Sequence, residues 1–326
     1  MMRLFALDAT NSFGKQVAEN LGLPLSPHEE REFEDGEHKA RPLVGVRGCD
    51  VYVIQGLHGG PEQSANDKLI RLLFFLGALR QGGARHITAA IPYLAYARKD
   101  RQTKTRDPVT TRYMAELLEA AGADAVVTLD VHNIVAFQNA FRIPAWHLDT
   151  RRLFLVNLLP TLGDGTLVVA SPDPGGVKRA QLFREMLESR LQRPVGGAFM
   201  EKRRSAGVVS GNLLVGEVQS ATAIVVDDMI SSGGTMLRAA EALLAEGATQ
   251  IIALAGHGLF TGGAAEALER PEIDRWLVTD TIPPFRLPPG LAAKRLEIVG
   301  AAPLFAEAIH RLHENGSLVE LLEGEA

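Results

Sequence analysis

The sequence predicts an α/β architecture with a mainly parallel sheet in each of two domains, and three observations predict it. Six short apolar, largely β-branched runs alternate with longer helical patterns: DVYVIQ (50–55), HITAAIP (86–92), DAVVTLDV (124–131), TLVVASP (166–172), TAIVVDD (222–228) and QIIALAG (250–256). Such alternation builds parallel sheets flanked by helices. Three segments also share one punctuation, a helix that closes on Gly and then Ala before a strand: ALRQGGARHITA, LLEAAGADAVVT and LLAEGATQIIA. Glycine suits the left-handed position after a helix. Finally, 326 residues at 46% hydrophobic content supply apolar surface for two cores.

Residues 83–92 set against 247–256 suggest that the two halves are related, each holding strand, loop, helix, Gly-Ala and strand. In that comparison DVYVIQGLHGG stands opposite AIVVDDMISSGG, and the second copy alone carries an acid pair. Proline and a polar turn in RIPAWHLDTRRLF separate the halves, giving domains of 1–148 and 149–326. The tail from Pro303 to Leu322 reads as an amphipathic helix able to pack on the first domain. LLFFLGAL (72–79) falls short of the roughly 20 apolar residues of a membrane span and reads as a buried helix.

Composition narrows the function classes. A net charge of −5 with mixed-sign surfaces gives no basic footprint for nucleic acid, so any phosphate site is local. One cysteine, Cys49, excludes a disulfide framework and a cysteine-rich zinc site, and its plain reading is a small buried residue. MMRLFALDAT lacks the pattern of an export signal, so the cytoplasm is the expected compartment and no membrane partner is expected.

The stretch AIVVDDMISSGGTM (223–236) carries the clearest chemistry. A strand that runs into small and hydroxylated residues at a helix start makes an anion site from backbone N–H groups and the positive helix end. Ser231, Ser232, Gly233, Gly234 and Thr235 fit a phosphate in this way. Asp227 and Asp228 repel that anion, but their oxygens accept hydrogen bonds from sugar hydroxyls or bind a hydrated cation. Phosphate and diol together describe a phosphorylated sugar; an Asp-capped tight turn is the structural alternative.

Other stretches decide between uses of such a loop: FEDGE (33–37), IPYLAYARKD (91–100) followed by TKTRDP, TLDVHN (128–133), SPDPGGVKRA (171–180), MEKRRSAG (200–207) and GHGLFTG (256–262). The loop resembles the 5-phosphoribosyl-1-pyrophosphate motif shared by phosphoribosyltransferases and ribose-phosphate pyrophosphokinases, and the remaining stretches resemble the latter family. The resemblance implies two tandem phosphoribosyltransferase-like domains. It also implies transfer of the pyrophosphoryl group of ATP to the 1-hydroxyl of ribose 5-phosphate, giving 5-phosphoribosyl 1-pyrophosphate and AMP.

By the same resemblance, Phe33, Asp35, Gly36 and Glu37 form a nucleotide element reaching a neighbouring subunit, so a homo-oligomer is implied. Arg98 and Lys99 face the ATP phosphates, with 98–108 a covering loop, although Lys99 stands where the family usually has glutamine. His132 and Asp173 serve Mg²⁺, with Asp130 behind them. Lys202 and Arg204 are the catalytic cations, and an extended segment places them on one side. Asp227, Asp228 and Ser231 to Thr235 hold ribose 5-phosphate. Departures include Glu201 for aspartate, Ser231 where many members have aspartate, Gly45 for serine, and GSLVELL without a Ser-x-Ser pattern. The alternatives are a phosphoribosyltransferase that consumes the pyrophosphorylated sugar and a non-catalytic regulatory subunit.

Overall fold

The computed structural model describes residues 1–205 and 208–323, with side-chain surroundings for all of these except 202–212. Two compact units divide the chain: Met1–Asp149 with the segment from Ala301 onward, and Thr150–Gly300. The first is built, in order, from β1 (Met2–Ala6), α1 (Asn11–Leu21), β2 (His28–Glu32), β3 (His38–Pro42), β4 (Asp50–Ile54), α2 (Ala65–Gln81), β5 (His86–Ile91), α3 (Thr110–Ala120), β6 (Ala125–Leu129), α4 (Ile134–Ala140) and β7 (Ala145–Leu148). Its main sheet has the order β1-β4-β5-β6-β7, all parallel, while β2 and β3 form a separate antiparallel hairpin. Val51, Val53, Ile54, Ile87, Ala89, Val126 and Val127 are fully buried, as continuous apolar strands covered on both faces require.

The second unit repeats that order after α5 (Arg151–Leu158): β8 (Leu167–Ser171), α6 (Val177–Leu191), β9 (Gly196–Ser205), β10 (Val208–Val215), β11 (Thr222–Ile230), α7 (Gly234–Ala245), β12 (Gln250–Gly258), α8 (Ala264–Glu269), β13 (Arg275–Thr279), α9 (Pro289–Arg295) and β14 (Leu296–Val299). Its sheet runs β10-β9-β8-β11-β12-β13-β14, so the hairpin here extends the sheet. Only the β9–β10 pair is antiparallel. Trp276, Met236 and Leu243 fill one face; Phe154, Phe183 and Leu187 fill the other.

The C-terminal segment differs from the single helix expected over 303–322. It forms α10 (Ala302–His313) and α11 (Leu318–Glu323). Asn315 adopts φ 59°, and the Gly316 amide bonds back to the Arg311 carbonyl at 2.6 Å, which stops α10 where a side chain disfavours the left-handed turn. α10 packs on α1, with Phe305 edge-on to Phe13 at 5.5 Å. The 72–79 run lies within α2 as expected, with Leu72, Phe75 and Leu76 fully buried and Phe74 outside, stacked on His38. Among the described residues, no helix is long and apolar enough to cross a membrane.

Candidate active site

In open α/β sheets, ligands bind beyond the carboxyl ends of parallel strands. β11 outruns its neighbour there. Its pairing with β8 ends at Val225 opposite Ala170, whereas pairing with β12 continues to Ile230. Asp227 and Asp228 therefore stand where β8 has already turned away through Pro172–Gly176 into α6. From the first turn of α6, Arg179 returns to the gap. Its Nη1 lies 3.7 Å from Asp227 Oδ1 and 3.5 Å from Asp228 Oδ1.

Asp228 is almost wholly buried, and its amide donates to Asp227 Oδ1 at 2.9 Å. Burial first, and the charge of Asp228 second, push the Asp227 carboxyl up to about 8, with Arg179 opposing. Both acids face the Arg179 guanidinium. Two acceptors with fixed geometry suit a vicinal diol, whose hydroxyls donate to them.

The loop that follows is shaped by Gly233. It adopts φ 80°, and a Cβ there would meet the Ala267 Cβ at 2.6 Å, so only glycine fits. Gly233 is also the N-cap of α7, and having no side chain it caps none of the first-turn amides. Those amides and the helix dipole are left for an anion. Ser231 Oγ meets Thr261 Oγ1 at 2.9 Å, and the Thr261 amide donates to the Ser231 carbonyl at 2.9 Å. The 256–262 segment thereby braces the loop. Arg238 adds a positive group by donating to Thr235 Oγ1 at 3.2 Å.

Asp173 follows β8. Its Oδ1 accepts from the Gly175 and Gly176 amides at 2.8 and 3.1 Å, while Ser171 Oγ donates to its carbonyl at 2.6 Å. The other carboxylate oxygen makes no hydrogen bond among the described residues. Lys202 and Arg204 lie on β9, in register with Asn212 and Val209 of β10; their side chains are outside the described set.

In the first unit, Phe33 to Glu37 form the turn between β2 and β3. The Phe33 amide donates to the Glu37 carbonyl at 2.7 Å, and the Glu37 amide to Asp35 Oδ1 at 3.0 Å. Gly36 takes φ 88°. The whole turn is exposed, with the Arg31 guanidinium 5.3 Å from the Phe33 ring centroid.

Arg98 is exposed and makes no hydrogen bond or ion pair among the described residues. Lys99 differs, because its ammonium is engaged inside the loop, donating to Asp107 Oδ2 at 2.5 Å and Thr103 Oγ1 at 2.9 Å. Asp107 gathers the Thr103 hydroxyl and amide and the Lys104 amide as well, and these donors hold its carboxyl well below the usual range. His132 is exposed beyond the end of β6, next to Asp130, which is buried at φ 40°. A non-glycine residue at positive φ stores strain that the surroundings must hold. Asn133 caps α4 through Val135 and Ala136 and donates to Asp100 Oδ2 at 2.6 Å, tying this strand end to the 98–108 loop.

Two family models match the chain: one described as the N-terminal domain of ribose phosphate pyrophosphokinase, over residues 2–122, and one described as the phosphoribosyl synthetase-associated domain, over 208–323. A ribose-phosphate pyrophosphokinase from Caldanaerobacter subterraneus subsp. tengcongensis is 40% identical over 322 residues, covering 98% of this chain and 97% of that one. The chain belongs to the ribose-phosphate pyrophosphokinase family. A pyrophosphokinase from Wolinella succinogenes is 37% identical over 320 residues, covering 98% of each chain. The crystal structure of phosphoribosylpyrophosphate synthetase from Mycobacterium smegmatis superposes with a TM-score of 0.86 at 34% identity, covering 97% of this chain and 99% of that one.

For a pyrophosphokinase site, the sequence reading had passed over two residues. Arg179 lies inside SPDPGGVKRA and Asn133 inside TLDVHN, yet neither spacing reveals that one meets the acid pair and the other meets Asp100. The available signal was residue type alone: a cation just after a glycine turn, and an Asx at a helix start.

Proposed function

We infer that the protein transfers the pyrophosphoryl group of ATP to the 1-hydroxyl of ribose 5-phosphate, giving 5-phosphoribosyl 1-pyrophosphate and AMP. Full-length similarity to named pyrophosphokinases weighs against a phosphoribosyltransferase or a non-catalytic subunit. Within the molecule one observation carries the reading: the Asp227–Asp228 pair beside the uncapped start of α7. That juxtaposition accepts a diol and a phosphate together.

In this reading the 5-phosphate sits on Ser231, Ser232, Gly233, Gly234 and Thr235, and the ribose diol hydrogen-bonds to Asp227 and Asp228. Arg179 keeps the two acids from repelling each other apart when sugar is absent. The sugar is thereby oriented, and its 1-hydroxyl attacks the β-phosphorus of ATP in line as AMP departs. Phosphoryl-type transfer has a loose transition state, so positioning and charge neutralisation outweigh a strong base. Lys202 and Arg204 supply that charge from β9, and Arg98, without a partner among the described residues, adds a guanidinium. Lys99 reaches a phosphate only by exchanging it for Asp107.

Mg²⁺ fits Asp173, which is oriented by two amides through one oxygen and offers the other to an oxygen-seeking cation. His132 suits a metal-bound water or a phosphate oxygen better than the cation itself. When bound, Mg²⁺ neutralises phosphate oxygens. The turn of Phe33, Asp35, Gly36 and Glu37 is wholly exposed, which fits an oligomer in which it reaches a neighbour's nucleotide site. The test is a product assay with Mg²⁺, ATP and ribose 5-phosphate. AMP formed in step with the pyrophosphorylated sugar is expected, and ADP in its place overturns the reading.

A further inference from the structure

Away from the acid pair, the base of the β2–β3 hairpin gathers three groups with metal-binding chemistry. His28 and Glu30 are two residues apart on β2, so both project from one face. Asp8 reaches them from the turn after β1. His28 Nε2 lies 3.2 Å from Glu30 Oε1 and 3.6 Å from Asp8 Oδ1, and the three ligand atoms all lie within 4.8 Å of one another. We propose that Asp8, His28 and Glu30 form a binding site for a divalent cation of the zinc class, which would tie the hairpin to the end of β1.

Spacing and donor type both support this. Ligand atoms around a tetrahedral cation at about 2.0–2.1 Å stand ~3.4 Å from one another, the separation of the His28 pairs here. One imidazole with two carboxylates is a borderline donor set that suits Zn²⁺ or Co²⁺ above Mg²⁺, which prefers oxygen alone. The His28 and Glu30 side chains are more than nine-tenths buried, whereas Asp8 is largely exposed, so the site has two fixed ligands and one that opens to solvent. An exposed carboxylate closes the remaining distance by rotation and leaves a coordination position for water.

The surroundings orient these ligands. The Asp8 amide donates to Glu30 Oε1 at 2.6 Å, and Arg71 stands 3.6 Å from the other oxygen of Glu30. Outer partners of this kind hold a ligating carboxylate in place. The edges of Phe5 and Phe75 fix the His28 ring, with centroids 6.5 and 5.7 Å away. Arg71 is shared between Glu30 and Glu32, whose nearest oxygens lie 3.6 and 2.8 Å from it.

The experiment titrates Co²⁺ into the full-length, metal-stripped protein without nucleotide and follows its visible absorption. One equivalent with the intense bands of low coordination is expected, displaced by Zn²⁺ and not by millimolar Mg²⁺. Asp8→Asn, an exposed change compatible with folding, should weaken binding by about tenfold or more, and His28→Gln should abolish it. Asp173→Asn should leave it intact. Absence of the bands, or bands unchanged in both Asp8→Asn and His28→Gln, would make the trio a hydrogen-bonded brace only. Loss in Asp173→Asn with retention in Asp8→Asn would assign the Co²⁺ to the substrate site and overturn the proposal.

Discussion

In the first unit β4 runs into Gln55, and in the second β11 runs into Asp227. Register against the next strand puts these residues at equivalent places, one beyond Ile54↔Ala90 and one beyond Val226↔Leu254. Gln55 is a fully buried neutral amide: the Thr10 hydroxyl donates to its Oε1 at 3.1 Å and accepts from the Gly56 amide at 2.9 Å, while its Nε2 has no hydrogen-bond partner among the described residues. Asp227 and its neighbour instead turn their acceptors toward the Arg179 guanidinium. The helices that follow differ in the same sense. α2 begins with a complete capping box, Ser64 Oγ accepting from Asp67 and Asp67 Oδ2 from Ser64. α7 begins at a glycine with no side-chain cap. One loop buries a neutral amide and caps its helix with its own side chains; the other presents two acids and leaves its helix start open to a ligand.

The largest test of this contrast is Asp228→Asn. Removing one buried charged acceptor should lower kcat/KM for ribose 5-phosphate by ~10²-fold or more in steady-state assays, while the fold survives. A near-normal value would show that the acid pair is as architectural as Gln55.

Asp227→Asn should come next, read as stability against pH in the substrate-free protein. Because the Asp227 carboxyl is pushed up to about 8, the folded chain retains a proton that the unfolded chain releases between about pH 4 and pH 8. Stability therefore falls as pH rises through that window. Asparagine removes the effect, so the variant and the parent should match near pH 4 and diverge above it. The gain expected at pH 8 is on the order of 1–3 kcal/mol in denaturant melts. Equal stabilities at both pH values would mean that Arg179 fully compensates the pair.

The smallest effect belongs to the first unit. Ser64→Ala should cost about 1 kcal/mol of stability with kcat unchanged, since it uncaps a helix whose start is closed by its own side chains. A change in KM for ribose 5-phosphate would break the assignment of this loop to architecture.

Several elements of the fold and site were legible because they rest on local pattern. Apolar runs such as DVYVIQ and TAIVVDD become parallel strands since every side chain on them is covered, and Gly233 reads as a turn glycine because no other residue takes its backbone angle against Ala267. The C-terminal helix was only half legible: its amphipathic period continues past His313, while the break depends on one left-handed residue, Asn315. Lys99 is legible as a loop cation, but its engagement by Asp107 depends on how the 98–108 loop folds on itself. Arg179 and Asn133 were read as motif members without partners, because contacts across a sheet end are set by which strands stop first.

By itself, the sequence determined the α/β class, the internal repeat and the family, since each depends on residue types at short fixed spacings. Only tertiary structure decided that β8 ends short of Asp227, that Arg179 fills the gap, and that Asp8 meets His28 and Glu30. The physical reason is common to all three. Strand lengths and registers place side chains from distant segments within a few ångströms, and charge and burial then act over that distance in ways that no local spacing records.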